Sequence, residues 1–212
     1  MEKINKEYDK LQNKYGSKEL NSVYGYGKKD GSRAALVFMN PTKRNIATSK
    51  SWQGLKAQWL GTKQIWDFLS ACGIFSGEIN KEIKSKRPKD WDETFCEKVY
   101  DEVIKQGLWI TNLAKCTQDD ARALPDEVFL QYTDLLKEEL KIVNPQKVFF
   151  FGNQVSSIML ERPISVSKVR QERFELIIGG QSYDCYAVYY PVGNGRFNQS
   201  KAVEDIKSIL DA

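Results

Sequence analysis

Three polar side chains stand where apolar runs of the sequence end, and their chemistry limits what this chain can do. Asn40 ends the run before Pro41, Asn112 ends a second run, and Tyr190 ends a third. A carboxamide oxygen can hold a water molecule, but it has no basic site that takes up a proton near neutral pH. A tyrosine hydroxyl can donate to an oxygen on which negative charge develops. These groups favour a reaction that depends on a positioned water and a stabilised leaving group.

Each of these residues also has a simpler structural interpretation. Asn40 before a proline suits a turn, and Asn112 at a strand end can satisfy backbone groups. Tyr190 lies in an apolar stretch that suits a core. Both interpretations of each residue stay open at the level of sequence.

The chain has 212 residues and no histidine, which removes several reaction classes at once. Ser-His-Asp and Cys-His catalysis and His-ligated zinc all need that side chain. The four cysteines form no C-x-x-C pair, which is typical of reduced cytosolic thiols. No window approaches the ~18 consecutive apolar residues of a membrane helix, and the charged N-terminus does not read as a signal peptide. We therefore expect a cytoplasmic protein with no metal, no cofactor and no membrane contact.

The apolar runs alternate with helical patterns over most of the chain. Predicted strands lie at 34–38, 108–112, 148–151, 174–178 and 183–190, and predicted helices at 62–72, 126–143 and 200–210. This alternation predicts an α/β protein, a three-layer α/β/α sandwich with a mostly parallel central sheet. We expect the whole chain, 1–212, to form one domain, with an N-terminal helix and turn over 1–33 and a core over 34–210.

In such a sheet, the loops beyond the carboxyl ends of the strands carry function. Those loops are residues 39–42, 113–116, 152–153 and 191–198, and we expect them to converge on one edge. The glycines at 25–31 precede a strand instead of leading from a strand into a helix. They therefore predict a surface turn or hairpin and not a phosphate-binding loop.

Four of these segments resemble, in order, motifs of the uracil-DNA glycosylase superfamily. The sequence FMNPT at 38–42 is similar to the first motif, written GINPG in the mismatch-directed uracil/thymine branch. The sequence WITNLAKC at 109–116 looks like the second-strand segment, and 147–160 like the next strand, glycine and helix. YPVGNGR at 190–196 falls at the second motif and keeps its proline, its glycine and its arginine. The resemblance covers roughly residues 34–210.

The resemblance implies a uracil-DNA glycosylase-like fold and a monofunctional, cofactor-free hydrolase. Such an enzyme flips uracil or a related damaged base out of DNA and cleaves its N-glycosidic bond. In this role Asn40 would hold the water and Tyr190 would donate to the leaving base. Trp52, twelve residues past Asn40, would stack on the base, and Met39 and Asn112 would complete the base site. We expect DNA as the partner and a monomeric protein.

Two segments are candidates for contact with the DNA backbone. Gly193, Asn194 and Arg196 belong to the second motif, and Lys86 and Arg87 lie in the basic segment 79–90. The net charge of +4 is mild, and the residues of the basic segment by themselves favour a solvated loop over a phosphate-contacting surface. No lysine in the motifs is placed for Schiff-base chemistry.

The chain also departs from the family pattern. Tyr190 stands where most branches have His and the mismatch branch has Asn, and Asn194 stands where an apolar wedge is usual. Thr42 replaces a small Gly, and Cys116 matches a cluster cysteine of the iron–sulfur branch without its partners. These departures favour an alternative, a catalytically inactive nucleic-acid- or nucleotide-binding protein of the same fold. An α/β domain of unrelated function is the third possibility.

Overall fold

A computed structural model describes residues 1–122 and 124–212, and of Asn194 only the backbone. Within this part of the chain, one sheet of six strands forms the centre of the molecule. The strands are β1 (Tyr26–Gly27), β2 (Ala34–Phe38), β3 (Leu108–Asn112), β4 (Lys147–Phe151), β5 (Phe174–Ile178) and β6 (Gln181–Val188). Their order across the sheet is β1-β3-β2-β4-β6-β5. The four inner strands are parallel, and β1 and β5 pair antiparallel at the two edges.

Helices cover both faces of this sheet, because its inner strands are apolar on both sides. The described helices are α1 (Glu2–Tyr15), α2 (Gln64–Ala71), α3 (Gly77–Ser85), α4 (Glu93–Lys105), α5 (Asp126–Leu130), α6 (Thr133–Val143), α7 (Asn153–Met159) and α8 (Gln199–Asp211). Leu36 and Phe38 pack with α2, α3, α4 and α8 on one face. Ala35 and Val37 pack with α1, α5, α6 and α7 on the other, as the two-residue period of a strand requires. The predicted α/β class and mostly parallel sheet are confirmed, and the layers are compatible with a three-layer sandwich.

Several elements differ locally from the sequence prediction. The helix predicted at 126–143 is two helices, α5 and α6, interrupted at Gln131 and Tyr132. The basic segment 79–90 is largely the helix α3 and not a loop; Ser76 caps this helix by accepting from the Ile79 N–H at 3.4 Å. The last strand ends at Val188, so Tyr190 lies in the following loop.

The glycine-rich segment 25–31 contains the edge strand β1. A Cβ on Gly27 would lie 2.1 Å from the Leu108 carbonyl oxygen, and Gly27 has φ +142°. A residue with a side chain would therefore have to push the two strands apart. This close approach explains the glycine without any bound phosphate.

The order of the strands indicates the edge of the sheet where α/β proteins most often have a ligand site. The chain passes from β2 to β3 on one side, then crosses back to β4 on the other side of β2. In open α/β sheets the crevice outside such a reversal, at the carboxyl ends of the strands, is the usual ligand site. Here that crevice lies beyond β2 and β4, which is where Asn40 and Gly152 follow their strands.

Candidate functional site

Four aromatic rings line the carboxyl ends of β2 and β4, and we call them the aromatic cluster: Phe38, Trp59, Phe151 and Tyr190. The rings of Phe38 and Phe151 stack with centroids 4.2 Å apart. Trp59 meets Phe38 edge-on at 5.1 Å, and Tyr190 meets it edge-on at 6.1 Å. Edge-to-face and offset-stacked pairs at these distances stabilise beyond their buried area. Phe38 and Phe151 are fully buried, whereas Trp59 and Tyr190 are partly exposed. The cluster is therefore a rigid apolar layer that presents Trp59 and Tyr190 at this edge of the sheet.

Asn40 lies two residues past the end of β2 and is partly buried. Its Nδ2 donates to the carbonyl oxygen of Pro41 at 3.2 Å. This hydrogen bond is the turn role that its place before a proline suggests. It also orients the carboxamide, so the oxygen is the atom that would hold a water.

Asn112 ends β3 beside Phe38 in the register of the sheet and is only 1% exposed. Its Nδ2 donates to Gln58 Oε1 at 2.8 Å, and Gln58 Nε2 donates to the Val23 carbonyl at 3.0 Å. Because a carbonyl oxygen can only accept, this chain of bonds fixes the orientation of both amides. It leaves Asn112 Oδ1 buried with no hydrogen-bond partner among the described residues. Such an acceptor costs about 1–3 kcal/mol unless a ligand or a water donates to it.

Tyr190 lies in the loop after β6, against Phe38 and Gly152. A Cβ on Gly195 would lie 2.0 Å from the Tyr190 carbonyl oxygen, so the loop needs glycine there to fold back. Burial raises the pKa of the Tyr190 hydroxyl well above its ordinary value. The hydroxyl therefore stays protonated, as a hydrogen-bond donor, at any physiological pH.

Trp59 is a member of the aromatic cluster with an unusual backbone conformation. Its backbone is left-handed, with φ +63°, a conformation that costs a non-glycine residue about 1–3 kcal/mol. Thr62 Oγ1 and Trp66 Nε1 both donate to its carbonyl, at 2.6 and 3.3 Å, and hold it there. Strained residues of this kind cluster at functional sites. Nothing in the sequence signals this strain.

Lys115 lies in the second-strand motif and is buried on the opposite face of the sheet. Its Nζ lies 2.9 Å from Glu139 Oε2, with the two side chains 0% and 1% exposed. It also donates to the Asn112 carbonyl, so it braces the end of β3 from behind. Tyr8 and Trp109 donate to the same carboxylate at 2.8 and 2.9 Å. Burial lowers the pKa of Lys115, and the ion pair closes it to a substrate.

Two predicted base-binding residues are not in the aromatic cluster. Met39 is partly buried and packs toward the core on the face opposite Phe38. Trp52 lines a separate groove, and its Nε1 donates to the Leu55 carbonyl at 3.0 Å. Trp59, and not Trp52, is the tryptophan whose ring contacts Phe38.

The predicted DNA-contacting residues lie in two places. Arg87 is exposed but paired with Asp90 at 2.8 Å, and Lys86 Nζ lies 4.7 Å from the Phe95 ring centroid. These contacts hold both cations close to the protein surface. The hydrogen bond and charge of Asp90 raise the pKa of Arg87.

The second predicted contact segment is a 3₁₀ turn over Gly193–Asn198. The Gly193 N–H donates to Gln64 Oε1 at 3.4 Å. Arg196 is exposed, with its guanidinium 5.6 Å from the Phe197 ring centroid. The side chain of Asn194 lies outside the described residues. Phe197 itself is 81% exposed, the most exposed large apolar side chain in the described part of the chain.

Residues 1–122 and 124–212 contain neither a cluster of metal-binding side chains nor a helix that could span a membrane. No group of three or more Cys, Asp or Glu side chains in this part of the chain is arranged to hold a metal ion. No helix there has the length and apolarity that crossing a membrane requires. The chain matches no known protein-family model, and no curated protein is significantly similar to it in sequence.

Proposed function

We propose that the protein is a DNA base-excision glycosylase with a uracil-DNA glycosylase-like fold, specific for uracil or a related damaged base. The observation that carries this proposal is the Oδ1 of Asn112, which is buried with no hydrogen-bond partner in the described part of the chain, on the residue paired with Phe38 in the sheet. An acceptor on the strand next to the aromatic cluster suits a flat ring that carries an N–H group. The ring N–H of uracil, thymine or hypoxanthine has this character, whereas the ring nitrogen of cytosine at that edge is an acceptor.

The aromatic cluster supports the same substrate class. A base that enters the crevice would lie against Trp59, the partly exposed ring that packs on Phe38, and stacking of this kind is worth about 1–3 kcal/mol per base. Trp59 takes the stacking role in this proposal, because it contacts Phe38 at 5.1 Å. Its left-handed backbone is consistent with a ring held in place for binding.

Bond cleavage requires a nucleophile and a way to stabilise the departing base. The Asn40 oxygen holds the water, and the protonated Tyr190 hydroxyl donates to the base carbonyl as negative charge develops. Neither group removes a proton from the water, so catalysis rests on positioning. We therefore expect a slow enzyme.

When the substrate is a duplex, extrusion of the base leaves a gap in the helix that an apolar side chain commonly fills. Phe197 is the side chain that suits this role, because it is 81% exposed on the loop that follows Tyr190. Arg196 lies beside it and would bind a flanking phosphate. The family pattern places its wedge at the position of Asn194. In this protein the wedge would come three residues later.

A catalytically inactive DNA-binding protein of the same fold is the second candidate. It is favoured by one contact, the hydrogen bond from Asn40 Nδ2 to the Pro41 carbonyl at 3.2 Å. This bond gives Asn40 a structural reason to be present without catalysis. The same crevice would then bind an extruded base without releasing it.

One assay separates the two candidates. Purified protein is incubated with labelled oligonucleotides that carry uracil, hypoxanthine or a mismatched thymine, and abasic sites are then cleaved with alkali. We expect cleavage at one or more of these bases and none at cytosine in the same oligonucleotide. Binding without any release would favour the inactive protein, and neither binding nor release would refute both candidates.

A further inference from the structure

A second groove lies next to the candidate site and is not used by it. It has a volume of about 460 Å³ and is walled by Trp52, Trp91 and Pro88, with the side chains of Lys43 and Lys89 among its lining residues. This volume falls within the ~300–1,000 Å³ of typical ligand sites. The groove is therefore large enough for one base with its sugar.

Trp52 is presented in the groove as a fixed ring. Its Nε1 donates to the Leu55 carbonyl at 3.0 Å, and a Cβ on Gly54 would lie 2.8 Å from its Cζ2. The indole is thus held on one side by its own loop, while the residue stays partly exposed. Trp91 is only 4% exposed and packs edge-on to Phe95 at 4.8 Å, so it forms the wall and not the stacking surface.

The charge around the groove is mainly positive. Lys43 and Lys89 line it and are exposed, and Arg44 and Lys50 lie exposed on the same segment of chain. One carboxylate, Glu19, stands against them in the lining. In the described part of the chain, neither lining lysine has a carboxylate at ion-pair distance. This arrangement suits a negatively charged backbone next to a stacked ring.

One residue that lines the groove, Lys43, is close to Asn40 along the chain. Lys43 follows Asn40 by three residues, and three residues of extended chain reach at most about 11 Å. Neighbouring nucleotides of an unpaired strand are spaced closely enough to occupy the crevice and the groove together. Paired bases in a duplex present their edges and not their faces, so a duplex cannot stack on Trp52.

We infer that this groove binds an unpaired DNA strand, with one base stacked on Trp52 and its phosphates beside Lys43 and Lys89. The inference rests on the proposed function and adds a substrate preference to it, single-stranded over double-stranded DNA. The groove would hold a nucleotide that flanks the base in the crevice.

The test measures binding of fluorescein-labelled oligothymidine, which carries no damaged base, by fluorescence anisotropy. Trp52→Ala should weaken binding about 5- to 150-fold, the range expected from loss of one stacked base. Trp52→Phe keeps a ring and should retain most of the affinity. Lys89→Gln should reduce the slope of log affinity against log salt by about 0.7, the value for one phosphate of a single strand. The matched control is Lys168→Gln, an exposed lysine outside the groove.

Two results would overturn the inference. One is Trp52→Ala binding within twofold of the wild type, and the other is tighter binding of a duplex of the same length. Base release from a uracil oligonucleotide is measured separately, so the two proposals fail in different ways. If binding depends on Trp52 but no base is released, the groove proposal stands and the glycosylase proposal is refuted. If release depends neither on Trp52 nor on whether the DNA is single- or double-stranded, the glycosylase proposal stands and the groove proposal is refuted.

Discussion

Replacement of Lys115 by methionine should destabilise the protein strongly, because it leaves a buried carboxylate without its counter-ion. Glu139 is 1% exposed, and Lys115 Nζ is the cation that lies 2.9 Å from it. Breaking a buried pair on one side typically costs about 3–5 kcal/mol. Tyr8 and Trp109 still donate to the two carboxylate oxygens, at 2.8 and 2.9 Å, which places the loss near the lower end. We therefore expect urea unfolding to show a loss of about 3 kcal/mol in the free energy of unfolding.

Thermal unfolding gives a second measure of the same change. At about 2–4 °C per kcal/mol for a chain of this size, Lys115→Met should lower Tm by about 6–12 °C. The Asn112 carbonyl loses a donor as well, so affinity for an extruded base should fall with it. Circular dichroism at pH 7 follows the transition.

Two variants control this prediction. Lys10→Met removes the exposed partner of Glu7 and should change stability by less than about 1 kcal/mol. The double variant Lys115→Met with Glu139→Gln removes both charges and should recover much of the loss. A single variant as stable as the wild type, or a double variant no better than the single one, would refute the reasoning.

Three further predictions follow from buried groups. Thr111→Val removes a buried hydroxyl that has no hydrogen-bond partner among the described residues. It should therefore raise the free energy of unfolding by about 1 kcal/mol, or Tm by about 2–4 °C. A loss of stability would contradict this prediction. Burial raises the pKa of the Cys72 and Cys96 thiols to about 12. Native protein should therefore react with Ellman's reagent at pH 8 far more slowly than unfolded protein. A thiol that reacts fast in the native protein would be inconsistent with the structure. Burial also raises the pKa of Tyr190, which favours its neutral form, so base release should not fall between pH 7 and 9 through its ionisation. Tyr190→Phe should slow release at every pH in that range, and an unchanged rate would leave Tyr190 a packing residue.

Strong local patterns in the sequence were enough to predict the inner strands. Each is a run of apolar residues bounded by turn residues, and β2 and β3 fall at the predicted bounds. The prediction of a single helix over 126–143 was wrong. Its apolar spacing continues through Gln131 and Tyr132 even though the backbone is interrupted there. The spacing of apolar residues indicates which side chains face the core. The same spacing can continue across a break between two helices.

The candidate site was only partly predictable. The loops beyond β2 and β3 bring Asn40 and Asn112 to one edge because neighbouring parallel strands end together. The roles of Gln58 and Trp59 depend on how a loop with no regular pattern folds back across the sheet. Their effect is seen in hydrogen bonds and ring contacts between residues far apart in sequence. No local spacing encodes such contacts.

The most direct test of the proposed enzyme compares Asn40→Ala with the wild type in single-turnover base release and in DNA affinity. The Asn40 oxygen acts chiefly in the transition state, so its loss should slow release at least ~100-fold, about 2.7 kcal/mol, with affinity nearly unchanged. Equal rates of release in the two proteins would contradict the assigned role of Asn40. A wild type that binds DNA through this crevice and releases none of the tested bases would contradict the central claim itself.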